Sequence, residues 1–192
     1  MKKIFFTIAA FFSLLTVVFG AEQVDAALAG MRLKYPDADT VCIYSDERVR
    51  YETDGSAEAE ESFSVGILTE KGRRSCRKRS WSFDSNYETM ELHALSVVSA
   101  DGAKRVYPPE KYSHISIDSE SAGSNIFSRS MKILTVSLPK LEIGDTVNMR
   151  VRYRLFKARM AGQWSHYGVL QSDMPIEKSL FTIDAPAELP LK

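Results

Sequence analysis

The chain has 192 residues, with 25 Lys and Arg against 25 Asp and Glu, 44% apolar and 26% charged residues. This composition is that of an ordinary globular domain and excludes a disordered, collagen-like or coiled-coil chain. Zero formal net charge removes the footprint of a nucleic-acid binder, and two cysteines are too few for a disulfide framework or a multi-cysteine zinc module.

Lys2 and Lys3 are followed by an apolar run of about 16 residues, Ile4 to Phe19, broken only by Thr7, Ser13 and Thr16. The run leads to small residues, Gly20 and Ala21. These are the three parts of a secretory signal peptide over residues 1–20. Cleavage is expected after Gly20, because a cut after Ala21 would put bulky Phe19 three residues before it. The competing reading is an uncleaved anchor, for which the run is short of the roughly 20 residues that span a bilayer. Removal of residues 1–20 leaves 23 basic against 25 acidic residues, a net charge of −2. The expected address is exported: periplasmic, cell-envelope or secreted, with membrane contact only through the signal peptide.

In residues 21–36, Val24, Leu28, Met31 and Tyr35 recur at helical spacing before Pro36, which predicts a short amphipathic helix. The period then changes. Val41 to Tyr51 reads as a strand, and Asp54-Gly55 signals a hairpin into Phe63, Val65, Ile67 and Leu68. Glu70-Lys71-Gly72 reads as a turn, followed by a basic strand from Arg73 to Phe83. Strands over Met90–Val98 and Val106–Tyr107 come next, the latter stopped by Pro108-Pro109. Residues 113–128 read as a Ser-rich loop around Gly123, carrying one short strand from Ile115 to Ile117. Met131–Leu138 alternates, and Ile143-Gly144-Asp145 turns the chain. Val147, Met149, Val151, Tyr153 and Leu155 then alternate with Asn148, Arg150, Arg152 and Arg154, the clearest half-buried strand. Residues 162–168 read as a loop or bent strand, and Ser179–Asp184 as the last clear strand. Leu189 and Leu191 look like the start of a further element.

Short strands divided by Gly, Asp and Pro turns predict an all-β antiparallel sandwich over residues 37–192. His93, His114 and His166 share no close ligand spacing, so no metal or other cofactor is expected. Cys42 and Cys76 are candidates for a disulfide closing a loop of about 34 residues, with separate thiols as the alternative. Cys76 sits among Lys71, Arg73, Arg74, Arg77, Lys78 and Arg79, cations that favour a thiolate. The same run could contact an anionic surface, with Arg77 and Arg79 as its centre. Equally, it is a charged edge strand paired with the acidic run Glu58, Glu60 and Glu61 on the preceding strand. Trp81, Trp164 and Tyr167 could stack on a sugar or pack a core or domain interface, and Trp164, Tyr167 and the Ser-rich loop around Gly123 are the candidate contacts with a partner domain.

Several segments carry a resemblance when taken in order. They are Tyr35-Pro36-Asp37-Ala38-Asp39, Ile67-Leu68-Thr69-Glu70-Lys71-Gly72, Ser85-Asn86-Tyr87-Glu88 and Leu141-Glu142-Ile143-Gly144-Asp145-Thr146-Val147. Gln171-Ser172-Asp173-Met174-Pro175-Ile176 and Ala185-Pro186-Ala187-Glu188-Leu189-Pro190 complete the set. Together they resemble the bacterial domain of unknown function that precedes a transglutaminase-like domain in exported proteins, over about residues 33–192. The resemblance implies a β-sandwich in front of a papain-like Cys–His–Asp core that holds the catalytic residues. None of those residues carries over onto this chain, so the chain itself is expected to be non-catalytic. It would support, position or recognise substrate for the downstream domain. The alternatives are a stand-alone module for cell-envelope protein, glycan or an anionic surface, and a thiol enzyme using Cys76.

Overall fold

Alternating side chains make most of this molecule strand, and the two sheets they form are unequal. The computed structural model describes residues 28–118, 128–138, 140–161, 163–166 and 172–188. The expected signal peptide, Gly123, Tyr167, Leu189 and Leu191 lie outside the described residues.

A helix, α1, is described over residues 28–34. The strands are β1 (Thr40–Tyr51), β2 (Ala57–Ile67), β3 (Lys78–Asp84), β4 (Glu88–Val98), β5 (Lys104–Tyr107), β6 (Ser113–Ile117), β7 (Met131–Ser137), β8 (Thr146–Leu155) and β9 (Ser179–Asp184). Two short helices interrupt them, α2 (Glu70–Ser75) and α3 (Pro109–Tyr112). One sheet has six strands in the order β5-β4-β8-β2-β1-β9, the other three in the order β3-β7-β6. The predicted all-β sandwich with a short N-terminal helix is therefore the observed class. Its one departure from antiparallel pairing is β9, which lies parallel to β1, with Glu47 opposite Phe181.

The main core lies between the sheets. Phe63, Val65 and Ile67 of β2, Leu92, Leu95 and Val97 of β4, and Val147, Met149 and Val151 of β8 form one side. Phe83 of β3 with Leu134 and Val136 of β7 form the other. Each fully buried side chain of this size contributes on the order of 1.5–3 kcal/mol. A second cluster seats α1 through Leu28 against Val41 and Leu68, with Met31 and Tyr35 packed around it.

The outer face of the large sheet is a grid of charge. Arg48, Glu60, Arg152 and Glu91 stand opposite one another across β1, β2, β8 and β4. Arg152 reaches Glu60 at 3.3 Å and Glu91 at 3.5 Å, and Arg154 reaches Glu58 at 3.4 Å. These pairs are exposed and each adds little stability. The arrangement corrects the expected partnership of the acidic run on β2: Glu58 and Glu60 pair with arginines of β8, not with the basic run 71–79.

The basic run itself is not one strand. Thr69 caps α2 by accepting from the Gly72 amide at 3.1 Å, and Glu70 binds Arg73. Thr69 Oγ1 in turn donates to Asp39 at 2.6 Å, and Lys71 pairs with the same carboxylate at 2.6 Å. These bonds hold the Asp39 carboxyl below its ordinary range, the Lys71 contact contributing most. Glu70-Lys71-Gly72 is thus a helix start rather than a turn, decided by an aspartate thirty residues away. Gly72 is buried against the Asp39 carbonyl, where a Cβ would collide with backbone that cannot yield. Gly72→Ala should cost about 1–3 kcal/mol, read as a lower urea midpoint at unchanged slope. A midpoint equal to that of the unmodified chain would refute the contact.

Candidate functional site

Six strands facing three leave part of the large sheet's inner surface without a partner. β3 carries Arg79 and Trp81 over the middle of that sheet, and no strand of the smaller sheet lies beyond it among the described residues. The uncovered part is a groove of about 1050 Å³. Its floor is Ser45, Glu47 and Val49 of β1, Ala57, Ala59 and Glu61 of β2, and Val151, Tyr153 and Leu155 of β8. Alanines on β2 give it depth. Leu180 and Phe181 of β9 form one side, and Met160, Gln163, Trp164 and His166 close over one end.

Stacked rings bring that end down onto the sheet. Tyr51 and Trp164 lie 4.9 Å apart between centroids, Trp164 and His166 5.7 Å, and His166 and Phe181 5.1 Å, all within 14° of parallel. Gly55 allows the approach: its φ is +86°, and a Cβ there would meet Ala158 and the Gln163 carbonyl. Arg159 adds a bond of 3.0 Å to Glu88 and lies 4.7 Å over the Tyr87 ring.

Two glutamates lie side by side on the floor. Glu47 and Glu61 stand directly opposite one another across β1 and β2, an unfavourable placement for like charges. His166 Nε2 is 3.1 Å from Glu47. Burial, reinforced by Glu47 and opposed by Arg79, pushes the Glu61 carboxyl above its ordinary range. The Arg79 guanidinium lies 4.3 Å from the Phe63 ring centroid and 5.5 Å from that of Trp81. Burial also raises the Tyr153 phenol, with Glu88 adding to the effect.

Of the residues singled out from the sequence, the structure brings Trp164 and Arg79 to this groove. Arg77 is exposed and is not among the groove-lining residues, and Gly123 and Tyr167 are outside the described residues. Trp164 stacks on Tyr51 and on His166, which brackets the segment onto the sheet, and it remains part-exposed along the groove. His166 joins the cluster, whereas His93 and His114 are exposed on β4 and β6. The sequence marks Glu61 only as a charge partner of the basic run, whose Arg79 does act on it, and Glu47 not at all, because their pairing across the sheet joins residues that are not neighbours in the chain.

Of the two readings of the cysteine pair, the structure has separate thiols: Cys42 and Cys76 are both free. Cys42 is buried and Cys76 packs against the main core at the end of α2. Burial raises both thiols, in each case outweighing the influence of Arg79. That runs against a thiolate at Cys76: Lys71 and Arg73 bind carboxylates, Arg74, Arg77 and Lys78 are exposed, and the effect of the half-buried Arg79 is outweighed. No three His, Cys, Asp or Glu side chains among the described residues converge as a metal site.

Residues 53–192 match the family described as a Domain of Unknown Function with solved structure, DUF3857. The chain belongs to the DUF3857 family. The match takes in β2 to β9 and therefore β3, the β2 half of the groove floor and the β9 side. Among solved structures, a candidate protease from Parabacteroides distasonis aligns with 79% of this chain at 17% identity and a TM-score of 0.65. The chain spans only 30% of that protein's length, and the likeness is one of fold. A carbohydrate-binding module of a Clostridium thermocellum cellulosome scaffoldin aligns over 70% of this chain and 79% of its own, at 10% identity and a TM-score of 0.37. An M1 zinc metallopeptidase from Deinococcus radiodurans aligns over 61% of this chain and 20% of its own, at 14% identity and a TM-score of 0.29. No functionally curated protein matches.

Glu61 gives the groove a pH signature. An acid whose folded pKa is raised binds its proton more tightly folded than unfolded. Its penalty is absent below the unfolded value of about 4.3 and grows as pH rises through the folded value. Glu61→Gln should therefore raise the melting temperature by about 2 °C at pH 7 and leave it unchanged at pH 4. An equal shift at both pH values would rule out ionisation as the cause.

Proposed function

We propose that this DUF3857 chain is a non-catalytic exported β-sandwich domain whose groove serves a transglutaminase- or protease-like domain of the same protein. It recognises that domain's substrate or positions the substrate for it. The observation that carries the reading is the groove itself: a preformed concave surface of about 1050 Å³, apolar on its floor, with a few charged groups placed within it. The fold of the longer Parabacteroides protein, itself described as a candidate protease, supports a place as one part of a larger molecule. The raised thiols of Cys42 and Cys76 favour a non-catalytic role, because a cysteine nucleophile acts as its thiolate. Export rests on the signal-peptide pattern of residues 1–20.

The second reading, a stand-alone binder of cell-envelope glycan or an anionic surface, draws on the basic residues around α2. It has less to stand on, because Arg73 and Lys71 are bound to Glu70 and Asp39.

Two measurements test the first reading. The coding sequence should continue past codon 192 into a segment with Cys, His and Asp in papain-like order; a stop codon there removes the partner domain. The purified chain without its first 20 residues should neither cleave casein nor couple an amine to a glutamine-donor peptide. Turnover that is altered by Cys76→Ser or Glu61→Gln would overturn the non-catalytic assignment.

A further inference from the structure

One edge of the smaller sheet borders the groove, and among the described residues its backbone is unpaired: there β3 pairs with β7 on one side only. The Leu138 amide donates to the Arg77 carbonyl at 2.8 Å and the Ser85 amide to the Ser130 carbonyl at 2.8 Å. In an antiparallel ladder the residues bonded to the partner alternate with residues turned away from it. Arg79, Trp81 and Phe83 therefore bond to β7, while the amides and carbonyls of Lys78, Ser80 and Ser82 face the open edge. The side chain of Arg79 points the other way, over the groove floor. It has five donors, yet among the described residues it makes no hydrogen bond and no ion pair within 4.0 Å; it lies over the rings of Phe63 and Trp81 and acts on Glu61 only through its field.

We propose that the groove accepts an extended acidic peptide segment as an added strand on the open edge of β3, with Arg79 taking its carboxylate. This names the ligand class for the recognition role proposed above and rests on that reading. Backbone donors and acceptors recurring every second residue, about 6.6–6.8 Å apart, are matched by another strand and by no regular feature of a glycan. The inward side chains of an added strand would lie over the floor at Ala59, which is part-exposed, beside the buried Val49 and Ala57. A half-buried guanidinium stacked on two rings is pre-organised for bidentate capture of a carboxylate. The floor's own carboxylates do not defeat this. Glu47 is engaged by His166, and burial disfavours the charged form of Glu61. Lys78 and Arg79 meanwhile discourage pairing of β3 with the same strand of a second copy.

The test is fluorescence anisotropy with a dye-labelled Ac-Ser-Thr-Val-Glu-Val-Thr-Ser-NH2 peptide. Its comparators carry Lys in place of Glu, or N-methylated valine amides, and trigalacturonate stands in for an acidic glycan. The acidic peptide should bind, and each altered peptide should bind at least tenfold more weakly. Arg79→Met, which keeps apolar packing on the rings, should also weaken binding at least tenfold. Ser80→Pro should do the same, since it removes an edge amide without touching the β7 ladder. On the unmodified chain, the peptide should slow hydrogen exchange at the Ser80 and Ser82 amides. The proposal fails if no peptide binds, if the Lys or N-methylated peptide binds equally, or if Arg79→Met is without effect. It also fails if only trigalacturonate binds, or if self-association protects Ser80 and Ser82 without peptide. These outcomes leave the non-catalytic domain reading standing, which only turnover or a stop codon removes.

Discussion

The unequal size of the two sheets is the constraint on which the rest of the molecule depends. A sandwich core is dry only where both sheets cover it. Three strands cannot cover six. Beneath β3 and β7 the large sheet presents Phe63, Val65, Ile67, Leu95 and Val147 and buries them. Further along the same strands it presents Ala57, Ala59, Glu47 and Glu61 in the groove, beside Val49, Val151 and Leu155. Small and charged residues thus join large apolar ones where the cover by the described strands ends, and the groove follows from that incomplete cover.

The segment around Trp164 deals with the remaining exposure. It lays Trp164 and His166 across β1 and β9 in a run of stacked rings, and Arg159 anchors its start on Glu88 and Tyr87. Offset aromatic contacts of this kind add roughly 0.5–1.5 kcal/mol each beyond the area they bury. Met160, Gln163 and Phe181 are among the exposed members of the groove lining, with Trp164 and Arg79 part-exposed beside them.

Burial, rather than the charge of near neighbours in sequence, governs Cys76 and Glu61. Cys76 lies among cations in the chain, yet its thiol rises because it packs on the core, and this outweighs the field of Arg79. Glu61 rises for the same reason, whereas Asp39, bound by Lys71 and Thr69, falls. Charges on the outer face of the large sheet cancel across strands in ordered rows, so that face is well solvated and carries no strong field.

Strand periodicity, turn chemistry and composition are local properties, and on these the sequence alone was sufficient. Alternation placed β1, β4, β7, β8 and β9, Asp54-Gly55 and Gly144-Asp145 placed turns, and the all-β class followed. Pairing is not local. That Glu58 and Glu60 face arginines of β8, that β9 joins β1 in parallel, and that Asp39 converts a basic stretch into α2 all depend on residues far apart in the chain. The same holds for the site: Arg79 and Trp164 were legible as residue types. Their neighbours Glu47, Glu61, Tyr51 and Phe181 were assigned only by the order of strands, because a period-2 pattern says which side chains share a face and not which strand lies beside them.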